Sequence, residues 1–136
     1  GSDLYPQVRE YTRTSTAVVN AYLAPILQRY VAGIDAHFRS LGARNPVRYF
    51  QSNGGLAVGQ VVTDRSVYAI NSGPASAPQA ALWLGEPYGM RDIITVDMGG
   101  TSFDITLTRD GRANVSKNID FLRYRLGIPM IQVETL

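Results

Sequence analysis

Asp92-Ile93-Ile94-Thr95-Val96-Asp97-Met98-Gly99-Gly100-Thr101-Ser102-Phe103-Asp104-Ile105-Thr106-Leu107-Thr108 is the stretch that decides how this 136-residue chain folds. Residues 92–96 form a short apolar, β-branched run, the pattern of a buried strand. Phe103, Ile105 and Leu107 then alternate with Asp104, Thr106 and Thr108, the two-residue period of a second strand. A glycine pair between two such runs predicts a hairpin. Gly99 and Gly100 lack a Cβ, so the backbone there can take positive φ and bring N–H groups close to an anion. Thr101 and Ser102 add hydroxyl donors. Asp97, at the end of the first strand, suits Mg²⁺ directly or through water, because Mg²⁺ takes one or two carboxylates together with substrate phosphates. Asp104 is the second acid. The same residue types also build an ordinary turn, in which Asp bonds only local backbone. The motif is not the common phosphate loop, since it has no lysine and leads into a strand instead of a helix.

Upstream, Asn71-Ser72-Gly73-Pro74 opens a predicted helix. Pro74 fits a first turn, and the small face of Ala75, Ala77, Ala80 and Ala81 with Leu82 and Leu84 runs to about Gly85. N–H groups at its start, Gly73 among them, could meet an anion. Val67-Tyr68-Ala69-Ile70 reads as a strand before it, residues 57–66 as a short helix, and Val47-Arg48-Tyr49-Phe50-Gln51 as another strand. Ser52-Asn53-Gly54-Gly55 follows that strand directly, and loops at strand carboxyl ends are where open α/β sheets hold ligands. A long helix is expected from Thr14 or Ser15 to Gly42, with Val18, Val19, Tyr22, Leu23, Ile26, Leu27, Tyr30, Val31, Ile34, Phe38 and Leu41 on its apolar face. Pro25 predicts a kink or a lost hydrogen bond near Tyr22. Downstream, Asp110-Gly111 predicts a turn into a third strand over residues 113–117. Residues 118–126 fit no single pattern, and Ile128 to Leu136 is a further apolar alternation.

Composition narrows the function. The chain has 45% hydrophobic residues and 13 Lys and Arg against 11 Asp and Glu, a net charge of +2 with no basic run. Despite a pI near 9.1, that leaves nucleic-acid binding without electrostatic support. No cysteine is present, which excludes disulfides and thiolate chemistry and fits a cytoplasmic protein. His37 stands alone within a helical pattern, so a zinc site is not expected. No apolar run is long enough for a membrane span. Gly1-Ser2 resembles the scar of a cleaved tag, and the last alternation stops without a turn, so the chain is expected to be a piece of something longer.

Three phrases in order, Gln51-Ser52-Asn53-Gly54-Gly55-Leu56, Ser72-Gly73-Pro74-Ala75 and Asp97-Met98-Gly99-Gly100-Thr101-Ser102-Phe103-Asp104, resemble the hydantoinase A / 5-oxoprolinase family, which includes acetone and acetophenone carboxylase subunits. Arg13-Thr14, the segment Asn20-Ala21-Tyr22-Leu23, Pro25 and Tyr30 carry the resemblance upstream. It implies an α/β fragment of the actin-like ATPase fold, built of ribonuclease-H-like domains. Its elements would be a long N-terminal helix, short parallel strands, a connector helix and an antiparallel phosphate hairpin. Residues 1–73 would end the first domain, 74–90 form the connector helix, and 92–136 begin the second domain. The implied activity is ATP-dependent hydrolysis of a cyclic amide, or carboxylation of a ketone, through a phosphorylated intermediate.

The resemblance further implies ATP and Mg²⁺ as cofactors, a small-molecule substrate and a hydantoinase B-like partner subunit, with no nucleic acid and no membrane. Asp97 would hold Mg²⁺ through water, and Gly99, Gly100, Thr101, Ser102 and Gly73 would bind phosphate. Asp104 would either orient the attacking group or hold the turn. Ser52 and Asn53 would lie near substrate. Many family members carry Asp and His where this chain has Gln132 and Glu134, which argues against a hydantoinase-type metal pair there and tilts the comparison toward the carboxylases. Two other readings stand beside this one: a non-catalytic assembly module, and another actin-like ATPase such as a chaperone or sugar kinase.

Overall fold

Helix α1 (Glu10–Ser40) is the longest element of the computed structural model, which describes residues 1–136. At about 1.5 Å per residue it is about 46 Å long. It begins earlier than the sequence predicts, because Ser15 and Thr16 serve tertiary contacts and not a cap. Buried Ser15 donates to the Arg125 carbonyl at 2.6 Å, and buried Thr16 donates to the Thr12 carbonyl at 2.6 Å and accepts the Gly127 N–H at 2.9 Å. Glu10 in the first turn complements the helix dipole. The helix runs unbroken through Pro25. Its apolar stripe is only partly covered: Val31 is buried and Val19, Leu23 and Leu27 half-buried, whereas Val18, Tyr22, Ile26, Tyr30 and Phe38 are exposed.

Strand β1 (Arg48–Phe50) turns through Ser52–Gly55 into β2 (Leu56–Val58), its antiparallel partner. Gly54 takes φ +80° in this turn, which favours glycine. Helix α2 (Gly59–Asp64) follows. The strand expected at Val67–Ile70 is instead a 3-10 turn over Ser66–Ala69. Its apolar side chains are consumed by burial: Val67 is fully buried, its N–H is taken by Asn20 Oδ1 at 3.0 Å, and the Tyr68 carbonyl accepts the Ser52 N–H at 2.7 Å. The expected parallel strands are therefore absent, and every strand pairing in the chain is antiparallel. Beside β1, the Tyr49 hydroxyl donates to Asp35 Oδ1 at 2.7 Å. Burial, then the bond to and charge of Asp35, push the Tyr49 phenol up to about 12.

Helix α3 (Ser72–Gly85) occupies the place of the predicted connector and packs across the hairpin of β3 (Ile93–Met98) and β4 (Phe103–Arg109). The hairpin register pairs Met98 with Phe103, Asp97 with Asp104 and Val96 with Ile105. Asp110 and Gly111, at φ 53° and 74°, turn β4 into β5 (Arg112–Ala113), as the Asp-Gly pair predicts. The third strand expected over 113–117 is split, because β6 (Val115–Ser116) leaves the sheet to pair elsewhere. The unassigned segment 118–126 is a second hairpin, β7 (Ile119–Phe121) with β8 (Tyr124–Leu126). Strand β9 (Met130–Ile131) pairs with β6, and β10 (Glu134–Thr135) returns to β4, giving the order β10-β4-β3.

Val67, Leu126, Ile128 and Met130 form one buried cluster, joined by half-buried Leu4, Val19, Tyr68, Ile70, Ile119 and Phe121. Val31, Ala57 and Val62 form a second under the C-terminal half of α1. Gly127, between Leu126 and Ile128, leaves room for buried Tyr5: a Cβ there would overlap the Tyr5 ring. The hairpin is covered on one side only, leaving Ile94, Val96, Met98 and Leu107 exposed.

Candidate functional site

The β3–β4 hairpin, the start of α3 and strand β10 surround a cleft of about 550 Å³ lined by Asn71, Gly73, Pro74, Asp97, Ser102, Asp104, Val133 and Thr135. Only Pro74 and Val133 among these are apolar. α3 contributes an N-terminus with no side-chain cap, because Asn71 stands in the left-handed region at φ 51° and its side chain makes no capping bond. Pro74, the third helical residue, has no N–H, so the donors facing outward from this end are those of Ser72 and Gly73.

The hairpin supplies two carboxylates that are direct cross-strand partners, Asp97 and Asp104. Such partners have Cβ atoms about 4.5–5.5 Å apart, and like charges at that range repel. The donors at this end of the sheet go to Asp104 and not to Asp97: Thr135 Oγ1 donates to Asp104 Oδ1 at 2.6 Å, and Ser102 Oγ lies 3.4 Å from Oδ2. Asp97 is exposed and free to take an external cation. No cluster of three or more His, Cys, Asp or Glu is present to cage a metal by itself. A Mg²⁺ ion shared between carboxylate and phosphate fits this donor set, while an all-protein metal site does not.

The glycines behave differently from the expectation. Neither Gly99 nor Gly100 takes positive φ, and the Gly99 N–H is committed to the Ser102 carbonyl at 3.0 Å, which closes the turn. The N–H groups left at the tip are those of Gly100, Thr101 and Ser102, the first two on exposed residues, and a Cβ at Gly100 would meet nothing within 4 Å.

Of the seven residues that sequence reasoning placed at the phosphate, Asp97, Ser102, Asp104 and Gly73 line the cleft, whereas Gly99, Gly100 and Thr101, at the hairpin tip, do not. Ser52 and Asn53 are elsewhere. Ser52 is fully buried, with its N–H on Tyr68, its carbonyl on Ile131 and its Oγ unpartnered, and Asn53 Oδ1 accepts the Gly55 N–H within the β1–β2 turn. Gln132 pairs through its side chain and backbone with Asn114, and Glu134 lies exposed on β10 opposite Ile105. Asn71, Val133 and Thr135 were not foreseen. The signal for Thr135 was present in the terminal alternation, whose pairing partner the sequence alone does not name.

Residues 13–136 match the hydantoinase/oxoprolinase family model, and the chain belongs to that family. It is 67% identical to the caprolactamase subunit alpha of Pseudomonas jessenii over 136 residues, all of this chain and 20% of that protein. A crystal structure of ATP-dependent caprolactamase from the same organism superposes with a TM-score of 0.86 at 67% identity, over 98% of this chain and 19% of that one. A nucleotide-free structure of acetone carboxylase superposes with a TM-score of 0.88 at 28% identity, over 99% of this chain and 19% of that one. The chain thus spans about one fifth of the length of these relatives.

Proposed function

We propose that this chain forms one phosphate-binding wall in an ATP-dependent enzyme that opens a cyclic amide. The observation that carries the proposal is the cleft in which the Asp97–Asp104 pair lies beside the uncapped start of α3. The lactam class is favoured by the 67% identity to caprolactamase over the whole chain, which outweighs the tilt toward ketone carboxylation drawn from Gln132 and Glu134. The chain would take its place in the actin-like ATPase group, with residues 1–73 closing a first domain, 74–90 connecting, and 92–136 opening a second. A partner subunit completes the proposal, since caprolactamase has a subunit named alpha.

ATP, when bound with Mg²⁺, would supply a phosphoryl group to the amide oxygen with release of ADP, activating the carbonyl carbon to attack by water so that the ring C–N bond breaks and the nitrogen leaves as the amine. Asp97 holds the cation side of the cleft. The Gly100 and Thr101 N–H groups, the Ser102 hydroxyl and the N–H groups of Ser72 and Gly73 bind phosphate oxygens where negative charge gathers. Asp104, already tied by Thr135, serves as the fixed acceptor that orients the attacking group. Because the chain spans only about one fifth of the length of these relatives, it is expected on its own to bind Mg-ATP weakly at best. The test is Asp97→Ala in the intact enzyme: ATP turnover should be lost with the melting temperature unchanged, and undiminished turnover would sink the assignment.

A further inference from the structure

Thr135, Asp104 and Asp97 form a single row across three neighbouring strands, Thr135 being the Cα partner of Asp104 and Asp104 that of Asp97. All three line the same cleft. The row is asymmetric: on the far side from Asp97, Asp104 Oδ1 takes a 2.6 Å bond from the Thr135 hydroxyl. Two adjacent carboxylates repel, which pushes an untethered one away from its neighbour, and a bond to an ionised oxygen is among the stronger means by which a side chain can fix a carboxylate's orientation. We infer that Thr135 is a positioning residue, which fixes the Asp104 carboxylate as an oriented acceptor and leaves Asp97 as the free, cation-facing acid. The inference rests on the cleft being a phosphate site.

The bond is separable from the fold. β10 is held on β4 by backbone bonds, Phe103 N–H to the Leu136 carbonyl at 3.2 Å and Leu136 N–H to the Phe103 carbonyl at 3.0 Å. Valine has the shape and strand preference of threonine, so Thr135→Val removes the hydroxyl and keeps the pairing. An Asp104 free to rotate is misaligned in the transition state, while nucleotide contacts made by other groups persist.

In the intact enzyme that contains this chain, Thr135→Val is expected to lower kcat for ATP hydrolysis about tenfold, the scale of one charge-assisted hydrogen bond. KM for Mg-ATP should hold, and Thr135→Ser should restore kcat to within about twofold, since the hydroxyl returns. An unchanged kcat in Thr135→Val, a loss expressed in KM instead, or no rescue by serine overturns the inference while Asp97→Ala still abolishes turnover. If Asp97→Ala leaves turnover intact, the phosphate reading of the cleft fails and the role of Thr135 fails with it.

Discussion

At Tyr49 a single side chain gives the molecule a measurable response to alkali. Its phenol, raised by burial first and by Asp35 second to about 12, keeps its proton in the folded chain when the unfolded chain, near 10, has lost it. The folded state therefore binds more protons between pH 10 and 12. The stability from this group is complete below pH 10 and is lost as pH rises toward 12. Absorbance titration should show one of the eight tyrosines ionising after the others. Tyr49→Phe should remove that late step and flatten the fall in stability over the same window; a variant with the wild-type slope would show that the bond to Asp35 does not set it. Nothing in the sequence marks Tyr49, because Asp35 lies 14 residues away on α1 and only the packing of β1 brings the two together. Asp97 and Asp104 are the opposite case. The alternation on either side of Gly99–Ser102 was enough to predict the hairpin, and because a tight hairpin carries its own register, the structure sets the two acids directly opposite each other. The role of the glycines was less legible: a missing Cβ states what conformation is allowed, and the turn uses an ordinary one.

Between elements, hydroxyls do work usually assigned to apolar contacts. The N-terminal half of α1 buries Thr12, Ser15 and Thr16 against the β7–β8 hairpin and the residue that follows it. Thr16→Val preserves shape and strands the Gly127 N–H in a closed interface, a loss of about 1–3 kcal/mol. Urea denaturation should register it, and Thr16→Ser should recover most of it; equal midpoints for wild type and Thr16→Val would mean that Gly127 finds another acceptor. This interface explains two failures of sequence reasoning. Thr14 and Ser15 resemble caps because the residue types that end helices also tie them to distant backbone. Val67–Ile70 has strand composition, but a buried 3-10 turn asks for the same side chains. The segment 118–126 was opaque for a different reason: Leu122, at φ 57° in its turn, gives no glycine signal to read.

Over the whole chain, the two ends meet. Ser15 bonds to Arg125 across 110 residues and Thr16 to Gly127 across 111, and Val67 shares its cluster with Leu126, Ile128 and Met130. The β3–β4 hairpin lies between these points, with β10 returning to its edge from the far end of the sequence. Local pattern identified the hairpin and helix α3, while the closure that unites them depends on pairings no short window contains. Gly127 turns that closure into an observable. Its amide is buried, bonded to Thr16, and released only when the ends of the chain separate, so its exchange with deuterium reports opening of the entire molecule. Its protection should equal the unfolding free energy from denaturant, whereas the Gly100 and Thr101 amides at the hairpin tip should exchange at nearly the free-peptide rate. A Gly127 amide that exchanges as fast as the tip would place the joint among locally opening segments. If protection is global, any ligand that binds only the folded chain slows exchange at a glycine it never touches.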